Sequence, residues 1–212
     1  MSSLTSKTFA LRLAAASAFA CVALAPALAP VAAYADASEP AAQQIDSFDS
    51  ALIRTMKTSG GPEARAKTIT PAVEATFDFP TMLGFAVGPS WATASADDKA
   101  ALTAAFRKFT VASYAKNFSG YSGQKITVDP NVLTRLPDKL VKTTLSDGSS
   151  NVVLAYRMRQ SGGIWKVIDV LYNGSISQLT TQRSDFSATV ASGGIKALIA
   201  KLDGQTQKLM AG

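Results

Sequence analysis

The apolar positions from residue 45 onward recur every three or four residues, as on one face of a helix. They are Ile45, Phe48, Leu52, Ile53 and Met56. Gly60-Gly61-Pro62 ends this helix, and residues 62–76 form a second one in which Pro71 permits at most a kink or a restart. Residues 77–91 are unusually apolar but broken by proline and glycine, which predicts short helical turns rather than one long helix.

The strongest helix signal in the chain lies between residues 95 and 118. Ser95-Ala96-Asp97-Asp98 has the form of a capping box, in which the side chain at the third helical position is acidic. An apolar stripe follows, and it consists of Leu102, Phe106, Phe109 and Ser113, widened by Val111, Tyr114 and Phe118. Gly120 and Gly123 end the helix.

After residue 125 the pattern changes from the helical period to alternation. Strands are predicted at 126–128, 139–146, 152–159 and 164–172, with a hairpin turn at Ser161-Gly162-Gly163. Such a meander of about four antiparallel strands, one face covered by helices, is an α+β fold. Alternation along the last strand places Trp165 and Asp169 on one face and Ile164, Ile168 and Val170 on the other.

A C-terminal helix follows Asn173-Gly174, and one of its faces carries a charge. That face consists of Ile176, Leu179, Arg183, Phe186 and Val190. Ser192-Gly193-Gly194 breaks the helix, and residues 195–202 form a short last one. An unpaired charge on an apolar face is costly, so we expect Arg183 to form a structural ion pair with Asp169 on the preceding strand. The alternative is that Arg183 extends along the face to solvent.

The first 35 residues have the layout of a secretory signal peptide. Lys7 and Arg12 precede an uncharged run from Leu13 that ends in Ala33-Tyr34-Ala35. A membrane anchor is the alternative, but Pro26 and Pro30 interrupt the run. We expect cleavage after Ala35, a single domain over residues 36–212 and a periplasmic location.

Composition excludes several kinds of chemistry. The 212 residues include no histidine and one cysteine, so there is no histidine base, no internal disulfide and no thiolate zinc site. The net charge is +6 for the full sequence and +4 without Lys7 and Arg12 of the predicted signal peptide, which is too small and too scattered to indicate nucleic-acid binding. The sequence also contains no phosphate-binding loop for a nucleotide. No cofactor or metal is expected. An enzyme of the nuclear-transport-factor/ketosteroid-isomerase architecture needs a carboxylate in an apolar pocket, for which Asp78 and Asp169 are the two candidates.

Four segments, taken in order and spacing, resemble the MlaC (toluene-tolerance) family of periplasmic phospholipid-binding proteins. They are Phe77-Asp78-Phe79-Pro80-Thr81-Met82 with Gly88-Pro89-Ser90-Trp91, Lys108-Phe109 through Tyr121-Ser122-Gly123, Gly163-Ile164-Trp165-Lys166-Val167-Ile168-Asp169-Val170, and Gln182-Arg183-Ser184-Asp185-Phe186 with Gly193-Gly194-Ile195. Asn173-Gly174-Ser175-Ile176-Ser177-Gln178 departs from the family's usual acidic residue and Gly-Val-Ser, and Gln182-Arg183 from its Tyr-Arg pair. In these positions the chain is more similar to HpnM, the hopanoid-biosynthesis-associated branch.

The resemblance implies a carrier, not an enzyme, whose apolar cavity between sheet and helices holds the acyl chains of a phospholipid or a hopanoid. It also implies exchange with an inner-membrane transporter complex of the ABC type and with an outer-membrane acceptor. The side chains expected in the cavity are Phe77, Phe79, Met82, Phe85, Trp91, Phe106, Phe109, Tyr156, Met158 and Tyr172. The alternatives are that these aromatic residues fill an ordinary core, and that the protein is an adaptor that binds only protein partners.

Overall fold

The computed structural model describes residues 39–211, so the predicted signal peptide lies outside the described residues. The helices are α1 (Pro40–Lys57), α2 (Gly61–Thr76), α3 (Phe79–Val87), α4 (Pro89–Thr93), α5 (Ala96–Asn117) and α6 (Gln178–Met210). The strands are β1 (Lys125–Val128), β2 (Leu133–Arg135), β3 (Asp138–Ser146), β4 (Asn151–Ser161), β5 (Ile164–Tyr172) and β6 (Ile176–Ser177). Among the helices of this described part, none has the length and apolar character needed to cross a membrane.

The helices begin where side chains satisfy free backbone N–H groups. The Ser95 hydroxyl accepts a hydrogen bond from the Asp98 N–H at 3.1 Å and so caps α5. The Asp78 carboxylate caps α3 in the same way through the Thr81 N–H. Helix α2 continues through Pro71 as one element, and the apolar stretch after it forms two short helices, as predicted.

All strand pairs within the sheet are antiparallel. The order is β1-β3-β4-β5-β6, and β2 pairs with the other end of β3. The four predicted strands are present, and β2 and β6 are short additions of three and two residues. The α+β fold with an antiparallel sheet is therefore confirmed.

A β-bulge changes the facing of β5. Arg157 of β4 pairs with Asp169, but the next residue, Met158, pairs with Val167, so Ile168 is left without a partner across the sheet. An extra residue reverses the alternation beyond it. The prediction that Trp165 and Asp169 share one face is therefore wrong, because simple alternation cannot anticipate the bulge.

The core lies where α1, α5 and the sheet meet. The Phe48 ring of α1 contacts the rings of Phe77, Tyr114 and Tyr156 at centroid distances of 5.4, 5.3 and 6.1 Å. Edge-to-face contacts of this kind add to the apolar burial. Tyr156 has no exposed surface, so the face of β4 that carries Tyr156 is covered at this point.

The C-terminal helix is longer than its sequence pattern predicts. Helix α6 begins at Gln178, after Ile176 has paired with Tyr172 in β6, and it extends to Met210. Gly194, with φ of 73°, bends it where a break is predicted. Helical structure resumes after the bend and passes beyond residue 202, because Leu198 and Leu202 are buried against the core.

Candidate functional site

A cavity of about 520 Å³ lies between the sheet and the helices. One wall is formed by α5 together with parts of α3 and α6, and the other by the ends of β3, β4 and β5. The mouth is marked by the exposed lining residues Asn117, Tyr172 and Gln178. Farther in, Phe77, Met82, Phe106 and Leu179 are buried, and the lining becomes apolar.

Five of the ten side chains expected in the cavity line it. They are Phe77, Met82, Phe106, Phe109 and Tyr172. Phe106 and Phe109 are stacked with their ring centroids 6.4 Å apart, and Phe186 of α6 meets the Phe106 ring edge-on at 6.0 Å. This aromatic stack fixes the side of α5 that faces the cavity.

The other five lie elsewhere. Phe79 is buried behind the cavity wall, 6.0 Å from both the Phe77 and the Phe106 rings, and Tyr156 and Met158 are core residues with no exposed surface. Phe85 is 39% exposed, and Trp91 packs beside Gly84 and Lys99 near the surface. The orientation of α3 decides this division, because it turns Met82 toward the cavity and Phe85 away from it.

Sequence reasoning missed most of the polar residues of the lining. These are Thr110, Ser113, Asn117, Gln178 and Gln182, and the missed apolar residues include Tyr114, Phe118, Leu145, Val152, Leu154, Val170 and Leu179. A signal was present for α5, because Ser113, Tyr114 and Phe118 belong to the predicted stripe. No local signal marks Gln178 and Gln182, whose position depends on where α6 meets the sheet.

Asp169 lines the cavity and caps α6. Its carboxylate accepts hydrogen bonds from the Ser177 hydroxyl at 2.6 Å and from the Leu179 N–H at 3.3 Å. Arg183 is exposed, and no ion pair joins it to Asp169 within residues 39–211. The expected pair is therefore replaced by helix capping, because the first turn of α6 supplies closer donors.

The two acids considered for an enzyme both hold helix ends. Asp78 caps α3 and Asp169 caps α6. Within the described residues, no group of three or more histidine, cysteine, aspartate or glutamate side chains has an arrangement that could hold a metal ion. The geometry thus assigns these two carboxylates structural roles.

A third acid, Asp49 of α1, is buried beside the aromatic core. It is 4% exposed, and neither of its carboxyl oxygens has a hydrogen-bond partner among the described residues. Burial raises the pKa of Asp49 to about 8, and the nearby charge of Asp46 contributes in the same direction. Burial likewise raises the pKa of Tyr114, with a further contribution from Asp49.

A cluster of Asp138, Arg157 and Arg159 joins the second half of β4 to the start of β3. The Asp138 carboxylate, only 3% exposed, accepts hydrogen bonds from Arg157 Nε at 2.7 Å and Arg159 Nε at 2.6 Å. The two guanidinium groups lie 5.8 and 5.6 Å from the centre of the Phe85 ring. The two arginines thus link β3, β4 and α3.

An apolar cavity between an antiparallel sheet and helices is typical of a binding or transport protein. The fold is similar to that of a solved phospholipid-binding protein from Ralstonia solanacearum, whose structure is a complex with a phospholipid. The TM-score is 0.70 and the sequence identity 20%, with 81% of this chain and 99% of that chain covered. None of the curated proteins compared with the chain matches it.

The family itself is established by sequence. The model of the family described as MlaC protein matches residues 46–204, about three quarters of the 212 residues. The chain belongs to the MlaC family, as the four segments predict.

Proposed function

We propose that the protein is a periplasmic lipid carrier that encloses an acyl chain in the cavity between α5, α6 and the sheet. The observation that carries the proposal is the cavity itself, about 520 Å³ in volume and lined mainly by apolar side chains. Cavities of this size and character bind small apolar ligands. The phospholipid bound by the Ralstonia protein and the family assignment support the same class of ligand.

The cavity volume sets the amount of ligand that is enclosed. If a methylene group takes about the share of one water molecule, roughly 30 Å³, the cavity holds roughly 17 such groups, which is one acyl chain. Removing these groups from water contributes roughly 14 kcal/mol before the costs of association. A lipid with two chains therefore needs the mouth near Tyr172 and Gln178 to widen, while its headgroup stays near solvent.

The source and destination of the lipid follow from the family resemblance. We propose that the carrier receives or delivers lipid at an inner-membrane complex of the ABC-transporter type and at an outer-membrane acceptor. Its sequence contains no phosphate-binding loop, so the energy for directional transport has to come from such a partner. The purified protein is accordingly expected to hydrolyse no nucleotide.

Export and maturation are part of the proposal. Residues 1–35 act as the signal peptide, and the lipid-binding domain comprises residues 36–212. N-terminal sequencing of the exported protein should begin at or near Asp36. An intact N-terminus on a membrane-bound product would refute this part.

Lipid extraction is the decisive experiment for the function. The protein purified gently from its own host should release a lipid into organic solvent, and mass spectrometry then distinguishes a phospholipid from the hopanoid suggested by the HpnM-like segments. Phe109→Asp, which places a charge in the cavity, should reduce lipid loading, whereas Phe85→Asp, a matched change outside the cavity, should not. Absence of any lipid from the unmodified protein would favour the adaptor that binds only protein partners.

A further inference from the structure

The charge of the cavity lining is carried by a single residue. Of the described residues that line the cavity, Asp169 alone bears a formal charge, and the other polar groups are hydroxyls and amides. The lining thus contains no lysine or arginine within the described part to bind a phosphate or a carboxylate. A ligand whose polar end carries a negative charge finds no opposite charge there.

The position of Asp169 places its charge just behind the mouth. Its carboxylate is bonded to Ser177 and to the N–H of Leu179, the two neighbours of the exposed Gln178. Asp169 is 7% exposed, so little solvent screens its interaction with a group inside the mouth. A chain that fills the cavity and ends at Gln178 therefore brings its polar end near this carboxylate.

The N-terminus of α6 does not cancel this charge. A helix end is equivalent to about half a positive elementary charge, so roughly half of the carboxylate charge remains. The capping bonds also occupy the backbone N–H of Leu179, and the Ser177 hydroxyl accepts from the Thr180 N–H. Two N–H groups of the first turn are therefore already bonded within the protein, which lowers the capacity of this helix end for an anion of the ligand.

We propose that Asp169 determines specificity at the cavity mouth by disfavouring lipids whose polar end, at the depth of Gln178, is anionic. The cavity then selects chains that end there in an uncharged, hydrogen-bonding group such as an ester or a hydroxyl, and any phosphate lies farther out in solvent. Gln178 and Gln182, one helical turn apart at the rim, supply the amides for such a group. This inference rests on the proposed lipid-binding function.

The test compares three probes with the same C18 chain and different polar ends. Oleate is anionic, monoolein is uncharged and oleylamine is cationic, and each is measured by equilibrium dialysis at a pH where oleate is ionised. The unmodified protein should bind monoolein and oleylamine about tenfold or more tightly than oleate. A factor of ten corresponds to roughly 1.4 kcal/mol, and the repulsion between the oleate and Asp169 carboxylates in a poorly solvated site should exceed this value.

Removal of the charge should remove the discrimination. Asp169→Asn retains an oxygen that can accept from the Leu179 N–H, so the affinity for oleate relative to that for monoolein should rise by most of the tenfold difference. Asp185→Asn is the matched control, because Asp185 lies on the same helix and pairs with Lys201 away from the cavity. Gln178→Lys leaves the cap intact and should also strengthen oleate binding, which keeps the test valid if Asp169→Asn does not fold.

The outcomes separate the two levels of the proposal. Equal affinity of the unmodified protein for oleate and monoolein, or a difference that persists in a folded Asp169→Asn variant, would overturn the role of Asp169 while leaving the carrier function intact. If Asp169→Asn does not fold, a difference that persists in Gln178→Lys overturns it in the same way. If the unmodified protein binds none of the three chains, the lipid-binding function fails and the inference about Asp169 fails with it.

Discussion

The buried carboxyl group of Asp49 should make the protein less stable as the pH rises. Its pKa in the folded protein is about 8, whereas an aspartate in an unfolded chain titrates near 4. Between these values the folded state binds one more proton than the unfolded state. The free energy of unfolding therefore falls with rising pH, by about 1.4 kcal/mol per pH unit.

Asp49→Asn removes this term and keeps the shape of the side chain. The difference in unfolding free energy between the variant and the unmodified protein should increase by about 2.7 kcal/mol in favour of the variant from about pH 5 to about pH 7. Urea unfolding at several pH values measures it by linear extrapolation. The comparison cancels the contributions of the other carboxylates. One of these is Asp138, where burial raises the pKa but the hydrogen bonds and charges of Arg159 and Arg157 lower it by more.

The matched control is Asp46→Asn, an exposed acid one turn earlier on α1. It should retain the steep loss of stability with pH, because Asp49 stays buried and unpaired. Parallel pH profiles for Asp49→Asn and the unmodified protein would refute the reasoning, since they would mean that Asp49 is charged in the folded state and that a hydrogen bond or ion stabilises it.

Three further predictions concern packing and backbone. Tyr156→Asp, in the core, should lower the melting temperature far more than Phe109→Asp, which lines the cavity; equal losses of Tm would mean that Phe109 is a core residue. Asp138→Ala should cost about 2 kcal/mol in urea unfolding because it leaves two arginines without their acceptor, whereas the exposed Arg183→Met should cost under about 0.5 kcal/mol. Gly194→Ala should destabilise by about 1–2 kcal/mol because of its positive φ, and a gain in stability by calorimetry would show that α6 can straighten at no cost.

The sequence alone determined most of the helices and the four longer strands, because their signals are local. The Ser95 cap, the apolar stripe of α5 and the hairpin turn at Ser161-Gly162-Gly163 depend on neighbouring residues, and each lies where it was predicted. The order and spacing of four short segments were also enough to indicate the family, because they are read directly from the chain and do not depend on the packing. The stripe of α5 placed Phe106 and Phe109 on one apolar face, and the family resemblance made them candidates for the cavity, which both residues line.

The tertiary structure decided which side chains face the cavity and which charges meet. Phe85 and Met82 lie on one short apolar helix, and only its orientation against α5 and β5 turns one outward and the other inward. The extra residue Ile168 reverses which face of the sheet the side chains before it in β5 point to. Because Ile176 pairs with Tyr172 in β6, helix α6 begins at Gln178, and its first turn rather than Arg183 bonds to the Asp169 carboxylate. These outcomes depend on contacts between residues distant in sequence, whose free energies are not encoded in any local pattern.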